Sequence, residues 1–196
     1  MFVLPPQIKV TEDKILNAAM EIVRKKGFEH LKVRDVAREV GCSVHPVFRV
    51  FESMEGLKAA VYKKAEQIYN DRILNALQQG EDGFLGTGLA YIDFARSEKN
   101  LFKLLFMSDA FRGQSMLDIV GAAEGDEEVI KMLCQTTGLS ARSSKELFAG
   151  IWLTTHGIAV MFATNGCRFS EDEIRRLLGN AFMGLTAKLK KEEQSK

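Results

Sequence analysis

Arg34, Val44, His45 and Arg49 stand within residues 31–51, a stretch in which small, glycine and apolar positions are spaced with a mechanical meaning. Ala37 falls where a second helix must cross close to a first. Gly41 follows four residues later, where a turn needs positive φ, and Val47 comes six further on as an inward apolar anchor. This is the spacing of a helix-turn-helix, whose second helix enters the major groove of duplex DNA. In that frame Arg34 suits a guanine edge, Val44 a thymine methyl and Arg49 a phosphate, His45 completes the groove-facing set, and Pro46 and Phe48 are counted with them as DNA-binding positions. Three ordinary core helices with an accidental spacing are the alternative.

Other chemistry finds less support. His30, His45 and His156 fall in different elements, none forms an i,i+4 pair for a metal, and no GxSxG, GxGxxG or P-loop pattern surrounds a nucleophile. An enzyme is not expected, nor a cofactor or a bound metal. Cys42, Cys134 and Cys167 are odd in number and lack CxxC spacing, so neither a disulfide framework nor a zinc site is indicated. They read as small buried hydrophobes, with Cys42 the candidate if one senses redox state. The net charge of +1 over 196 residues excludes a polybasic nucleic-acid coat, so any DNA affinity must be local.

The elements that must position these residues read as helices throughout. Thr11 offers an N-cap, followed by Glu12 and Asp13 for the helix dipole. Ile15, Ala18, Ala19, Ile22 and Val23 then mark the buried stripe of a first helix that ends near Gly27. Val33, Val36, Ala37 and Val40 mark one face before Gly41, and Val47, Phe48 and Phe51 one after it. Ser53 caps a fourth helix reaching Gly80. A fifth follows over Phe84 to Phe94, a short sixth over residues 101–107, and a seventh over residues 116–137, interrupted near Gly121 or Gly125. Two capping-box patterns, Ser143 with Glu146 and Ser170 with Glu173, open helices over about residues 146–164 and 171–191. With no trustworthy alternating run and no repeat, the fold class is all-α. Residues 1–54 form a three-helix head and residues 55–196 a helical ligand-binding and dimerisation domain.

Gly27-Phe28, the run Val33-Arg34-Asp35-Val36-Ala37, Gly41-Cys42-Ser43, Phe48, Phe51 and Ser53-Met54-Glu55-Gly56-Leu57 together resemble the N-terminal signature of TetR-like transcriptional regulators. Trp152, His156 and Gly157 resemble the Trp-x-x-x-His-Gly element of one subset of that family, and residues 101–106 the helix preceding it. The resemblance implies a ligand-responsive regulator, a repressor, that binds a palindromic double-stranded operator as a homodimer. It further implies a cavity for a largely apolar small molecule, touching Trp152 and His156 with Phe94, Phe106 and Met107. A lone histidine on an apolar face is more often a satisfied core residue than a ligand contact. The last two helices would form a four-helix interface between copies, through Phe148, Ile174, Leu178, Ala181, Phe182 and Leu185, with plain core packing as the other reading. The head departs from the family at Lys32, Pro46, Phe48 and Met54, where a helix cap or phosphate contact is common. A binding protein with a weakened DNA head is therefore the second reading.

No uninterrupted apolar run reaches 18 residues, because Thr154, Thr155 and His156 break the best candidate, residues 148–163. The start, Met1-Phe2-Val3-Leu4-Pro5-Pro6, lacks the basic region of a secretory signal. A cytoplasmic protein without a membrane partner is expected.

Overall fold

A computed structural model describes residues 10–79, 83–108 and 126–195. Nine α-helices form among these residues: α1 (Glu12–Lys26), α2 (Val33–Val40), α3 (Val44–Phe51), α4 (Met54–Gln79), α5 (Gly83–Ser97), α6 (Lys99–Phe106), α7 (Asp126–Thr137), α8 (Ala141–Asn165) and α9 (Glu171–Gln194). No strand occurs among the described residues, as the patterning predicts.

The head forms for the reasons legible in its residues. Thr11 Oγ1 accepts from the Lys14 amide, and Ile15, Ala19 and Val23 bury the predicted stripe of α1. Gly41 adopts φ 76° and ψ 35°, ending α2 with its own amide and that of Cys42 returning to the carbonyls of Arg38 and Ala37. Val47 is fully buried and Ala37 nearly so. One position differs from the periodicity: Phe48, grouped with Val47 and Phe51 on the inner face, is 37% exposed. One residue further round a 3.6-residue turn than Val47, it swings out of the core.

The passage from α3 to α4 is tight. Glu52 takes φ 63° and ψ −44°, and the Ser53 amide donates to the Phe51 carbonyl at 2.6 Å, which closes a γ-turn of the strained hand. Ser53 then caps α4 through Oγ, accepting from the Gly56 amide at 3.0 Å. Gly56 is required there, since a Cβ would lie 2.1 Å from the Phe51 carbonyl oxygen. Leu57, Val61 and Ala65, all fully buried, run α4 along the core. A buried leucine of this kind contributes about 1.5–3 kcal/mol.

Behind the head, α5 packs between α4 and α8, α6 touches α1, α4, α5 and α8, and α9 lies along α8 and α5. One contiguous apolar core runs from Ile15 in α1 to Leu178 in α9, and a second, smaller one joins α7, α8 and α9 around Leu133, Leu147 and Leu189. The head is thus packed onto the larger domain as well as linked to it.

The start of α8 corrects the sequence reading. The helix begins at Ala141 with Ser140 as N-cap, its Oγ accepting from the Ser143 amide at 3.3 Å, while Ser144 is fully buried. The Ser-x-x-Glu pattern starting at Ser143 loses to Ser140 because α9 reaches across. Glu193 accepts from the Ser140 amide at 3.1 Å, a contact between residues 53 positions apart that no local pattern reveals. At α9 the predicted box forms in full, Ser170 and Glu173 each accepting the other's amide. The start proposed for the seventh helix, with its glycine interruption, lies outside the described residues. Among the described residues one helix, α8, is long and apolar enough to cross a membrane, with mean hydropathy 1.5, and 44% of that window is buried inside the protein.

Candidate nucleic-acid interface

The turn at Gly41 sets α3 across α2 so that Val47 and Phe51 point inward. The outer side then carries His45, Phe48 and Arg49 on α3 and Arg34 on α2, all exposed. Arg34 and Arg49 have no ion-pair partner among the described residues, whereas Arg38 is tied to Asp35 and Arg24 to Glu21 and Glu98. Among the described residues of the head, the two guanidiniums left to meet an external anion are therefore the two that the sequence singles out. Val44 and Pro46 are half-buried, and Val44 also packs against the core, which reduces the methyl surface it offers a base.

The N-terminus of α3 adjoins these residues, His45 lying in its first turn. Ser43 holds the N-cap position in extended conformation without a side-chain cap bond. The amides of Val44 and His45 lack intrahelical acceptors, as first-turn amides do, and Pro46 at the third helical position contributes none. Lys32 stands at the N-cap of α2 and likewise makes no cap bond. Met54 is half-buried against the core and does not stand out from it.

The residues expected to contact a ligand meet in one aromatic cluster, with Met107 outside its ring contacts and 43% exposed. Trp152 and His156, one turn apart on α8, stack with ring centres 4.9 Å apart and planes within 5°. His156 Nδ1 lies 2.8 Å from the Tyr91 hydroxyl. Phe102 packs on both Tyr91 and His156, and Phe106 on Tyr91, Phe102 and Tyr69. Phe94 is fully buried against Tyr69 on one side and the Arg72 guanidinium, 5.4 Å from its ring centre, on the other.

Burial sets the protonation of this cluster. It pushes Tyr69 up to about 12, with Asp126 adding to the effect, and holds Tyr91 further above the phenol range. It also lowers His156 below 6.5, keeping the imidazole neutral at pH 7. The Tyr91 hydroxyl keeps its proton, and the contact has two forms: the hydroxyl donates to Nδ1 and the imidazole proton sits on Nε2, or Nδ1–H donates to the hydroxyl oxygen. Tyr69 and Tyr91 were not among the expected site residues. Their positions on α4 and α5 carry no local signal, because the cluster exists only where four helices converge. Two clefts are also present, about 340 Å³ between α4, α5 and α9 and about 460 Å³ beside Arg24 and Glu98, and neither touches Trp152 or His156.

The expected interface residues on α8 and α9 divide. Ile174 and Leu178 are each 3% exposed, so their area is covered by their own chain. Phe148, Ala181, Phe182 and Leu185 are half-buried against the second core, Phe84 packing on Phe148 and Phe182. Gly150 sits so close to Leu185 that a Cβ would meet Cδ1 at 2.7 Å. The opposite sides of the same helices carry Leu153, Met161, Leu177 and Met183, exposed at 40–62%, interleaved with the open glycines Gly157 and Gly184.

Two short helices crossing at a left-handed glycine turn, with unpaired guanidiniums on the outer face and an apolar inner one, define a helix-turn-helix DNA-binding module. In comparison with known protein families, residues 15–61 match the bacterial regulatory proteins of the tetR family. The match supports a TetR-like, DNA-binding transcriptional regulator, and such regulators are generally not enzymes. No curated protein matches the chain.

Proposed function

We propose that this protein is a ligand-responsive repressor, a cytoplasmic homodimer that binds a palindromic operator through paired heads. The observation that carries the reading is the outer face of α2 and α3, where Arg34, His45, Phe48 and Arg49 are exposed together around a glycine turn. Arg34 addresses a base edge, Arg49 a phosphate, and the first-turn amides of α3 a second phosphate. Two such heads read half-sites about one helical turn apart, which needs a second copy of the chain.

The exposed stripe of Leu153, Gly157 and Met161 on α8, together with the exposed Leu177, Met183 and Gly184 on α9, supports dimerisation through these two helices. Small residues between apolar ones allow helices to approach closely across a two-fold axis. The aromatic cluster around Trp152 and His156 supports the sensor role, for a largely apolar molecule bearing a hydrogen-bonding group for His156 Nε2. Rings from four helices meet in this cluster, so a ligand that shifts one of them would be felt by α4, α5, α6 and α8 together.

The second reading, a small-molecule or protein-binding relative with a weakened head, is favoured by the uncapped Lys32 and Ser43 positions and by the missing Pro46 amide. Selection of binding sites from random duplexes by the purified protein separates the two. The repressor reading requires an enriched palindrome, and a pool that stays random establishes the weakened head.

A further inference from the structure

Besides the apolar packing of α1 on α4 and α6, the head is fastened to the larger domain at two places. One is covalent, where α3 passes through Glu52 into α4. The other is a side-chain latch between the end of α1 and the corner joining α5 to α6. Nε and Nη2 of Arg24 reach the Glu98 carboxylate at 3.0–3.2 Å, with Nε shared between both oxygens. The Arg24 and Glu98 side chains are 33% and 17% exposed. Glu98 holds the N-cap position of α6, where a carboxylate ordinarily accepts amides of its own helix. It makes no such bond and instead crosses 74 positions of sequence to α1. Asn100 donates through Nδ2 to the Arg24 carbonyl at 2.8 Å, satisfying one of the acceptors that α1 leaves open at its C-terminus.

The same eight-residue helix reaches the aromatic cluster. Phe102, one turn beyond Glu98, packs on His156 and Tyr91, and Phe106, one turn further, on Tyr69. The apolar contact of α1 with α6 is non-directional and would tolerate rocking about the Glu52 turn. A forked guanidinium–carboxylate contact with a neighbouring amide bond is directional and does not.

We propose that Glu98 and Asn100 are positioning residues for DNA binding: through Arg24, α6 sets the angle of the helix-turn-helix head, and with it the separation of the two recognition helices. The inference rests on the dimeric repressor reading above. It makes α6 the element on which cluster and head both act, a contiguous connection of the kind that coupling between sites needs.

The test uses the full chain with Glu98→Gln, Asn100→Ala, Arg24→Gln and the Arg24→Gln/Glu98→Gln double variant. The probes are the duplex selected by the wild type, its single half-site, and versions with one or two base pairs inserted between half-sites. Glu98→Gln is expected to lower palindrome affinity about five- to tenfold, to leave half-site affinity unchanged and to flatten the spacing preference. The double variant should be no worse than either single one, since both remove one interaction. Equal losses on palindrome and half-site, with spacing preference intact, would reduce the latch to a stabilising ion pair and overturn the proposal.

A second measurement needs no DNA. Spin labels at the exposed Glu39 of α2 and Lys190 of α9, with the native cysteines replaced and the labelled chains diluted in an excess of unlabelled ones, report the head's orientation within one chain. Glu98→Gln should broaden that distance distribution, and an unchanged distribution sinks the latch. A broadened distribution in a protein that selects no duplex leaves the latch standing and overturns the DNA-binding reading instead.

Discussion

Arg34 and Arg49 carry the same charge but should fail differently when removed. A side chain bonded to a base edge discriminates sequence, while one bonded to phosphate holds every sequence alike. Arg34→Ala is expected to cost about 1–3 kcal/mol on the selected operator and to relax one base position. Arg49→Ala should weaken all duplexes uniformly and shallow the salt dependence. An Arg34→Ala protein with unaltered base preference would remove Arg34 from the groove. Met54 offers a second test by titration. A lysine there can lay its stem where the methionine packs and carry its ammonium to solvent, and each cation paired with a phosphate adds about 0.9 to the slope of log affinity against log salt. Met54→Lys should steepen that slope by nearly one unit per head, and an unchanged slope places position 54 away from the DNA backbone. At His156 the prediction concerns pH. Its folded pKa lies below 6.5, so the unfolded chain takes up the proton first. Stability from this group is complete above that value and declines as pH falls through it. Denaturation midpoints of the wild type should fall between pH 7 and pH 5 more steeply than those of His156→Gln, and parallel curves would show that the imidazole is not held neutral.

At the scale of elements, the joint between α3 and α4 is where local chemistry leaves least freedom. Gly56 lies against the Phe51 carbonyl, and a methyl group placed 2.1 Å from a backbone oxygen cannot be relieved by a side-chain rotation. Gly56→Ala should therefore destabilise the protein by about 1–3 kcal/mol, the range of other localised backbone strain. It should also weaken operator binding beyond what the lost folded fraction explains, because relief of the clash shifts α3 against α4. A variant melting with the wild type would mean that the joint is loose. By contrast Pro46, which breaks a helix interior, is accommodated at the third position of α3, where no amide is needed inside the helix.

For the whole molecule the question is which surface a second copy covers. Met183, 62% exposed on α9, costs the protomer little when changed, within about 0.5 kcal/mol for a surface site. Met183→Glu should nonetheless convert a micromolar dimer to monomer in sedimentation and lower operator affinity, since unlinked heads lose their effective concentration. A variant that stays dimeric moves the interface off this stripe. Leu178 cannot serve for this purpose. It is 3% exposed, and Leu178→Ala would remove about 2–5 kcal/mol from the protomer itself.

Residues acting through near neighbours were readable from sequence. The Thr11 and Ser170 caps, the left-handed turn at Gly41, the inward Val47 and the all-α class each depend on contacts within about one helical turn, which spacing and residue type encode directly. The tertiary structure alone decided the contacts between distant segments. Ser140 prevails over Ser143 because Glu193 arrives from α9, and Phe48 faces outward because Val47 has taken the inner position. Ile174 and Leu178 belong to the protomer's core because α5 and α8 cover them, although their helical stripe reads equally well as an interface. Arg24 appears in sequence as one more cation of a solvated face. It becomes a structural group only where folding brings Glu98 and Asn100 against it, since charge and periodicity state what a side chain can bond but not which distant partner the packing delivers.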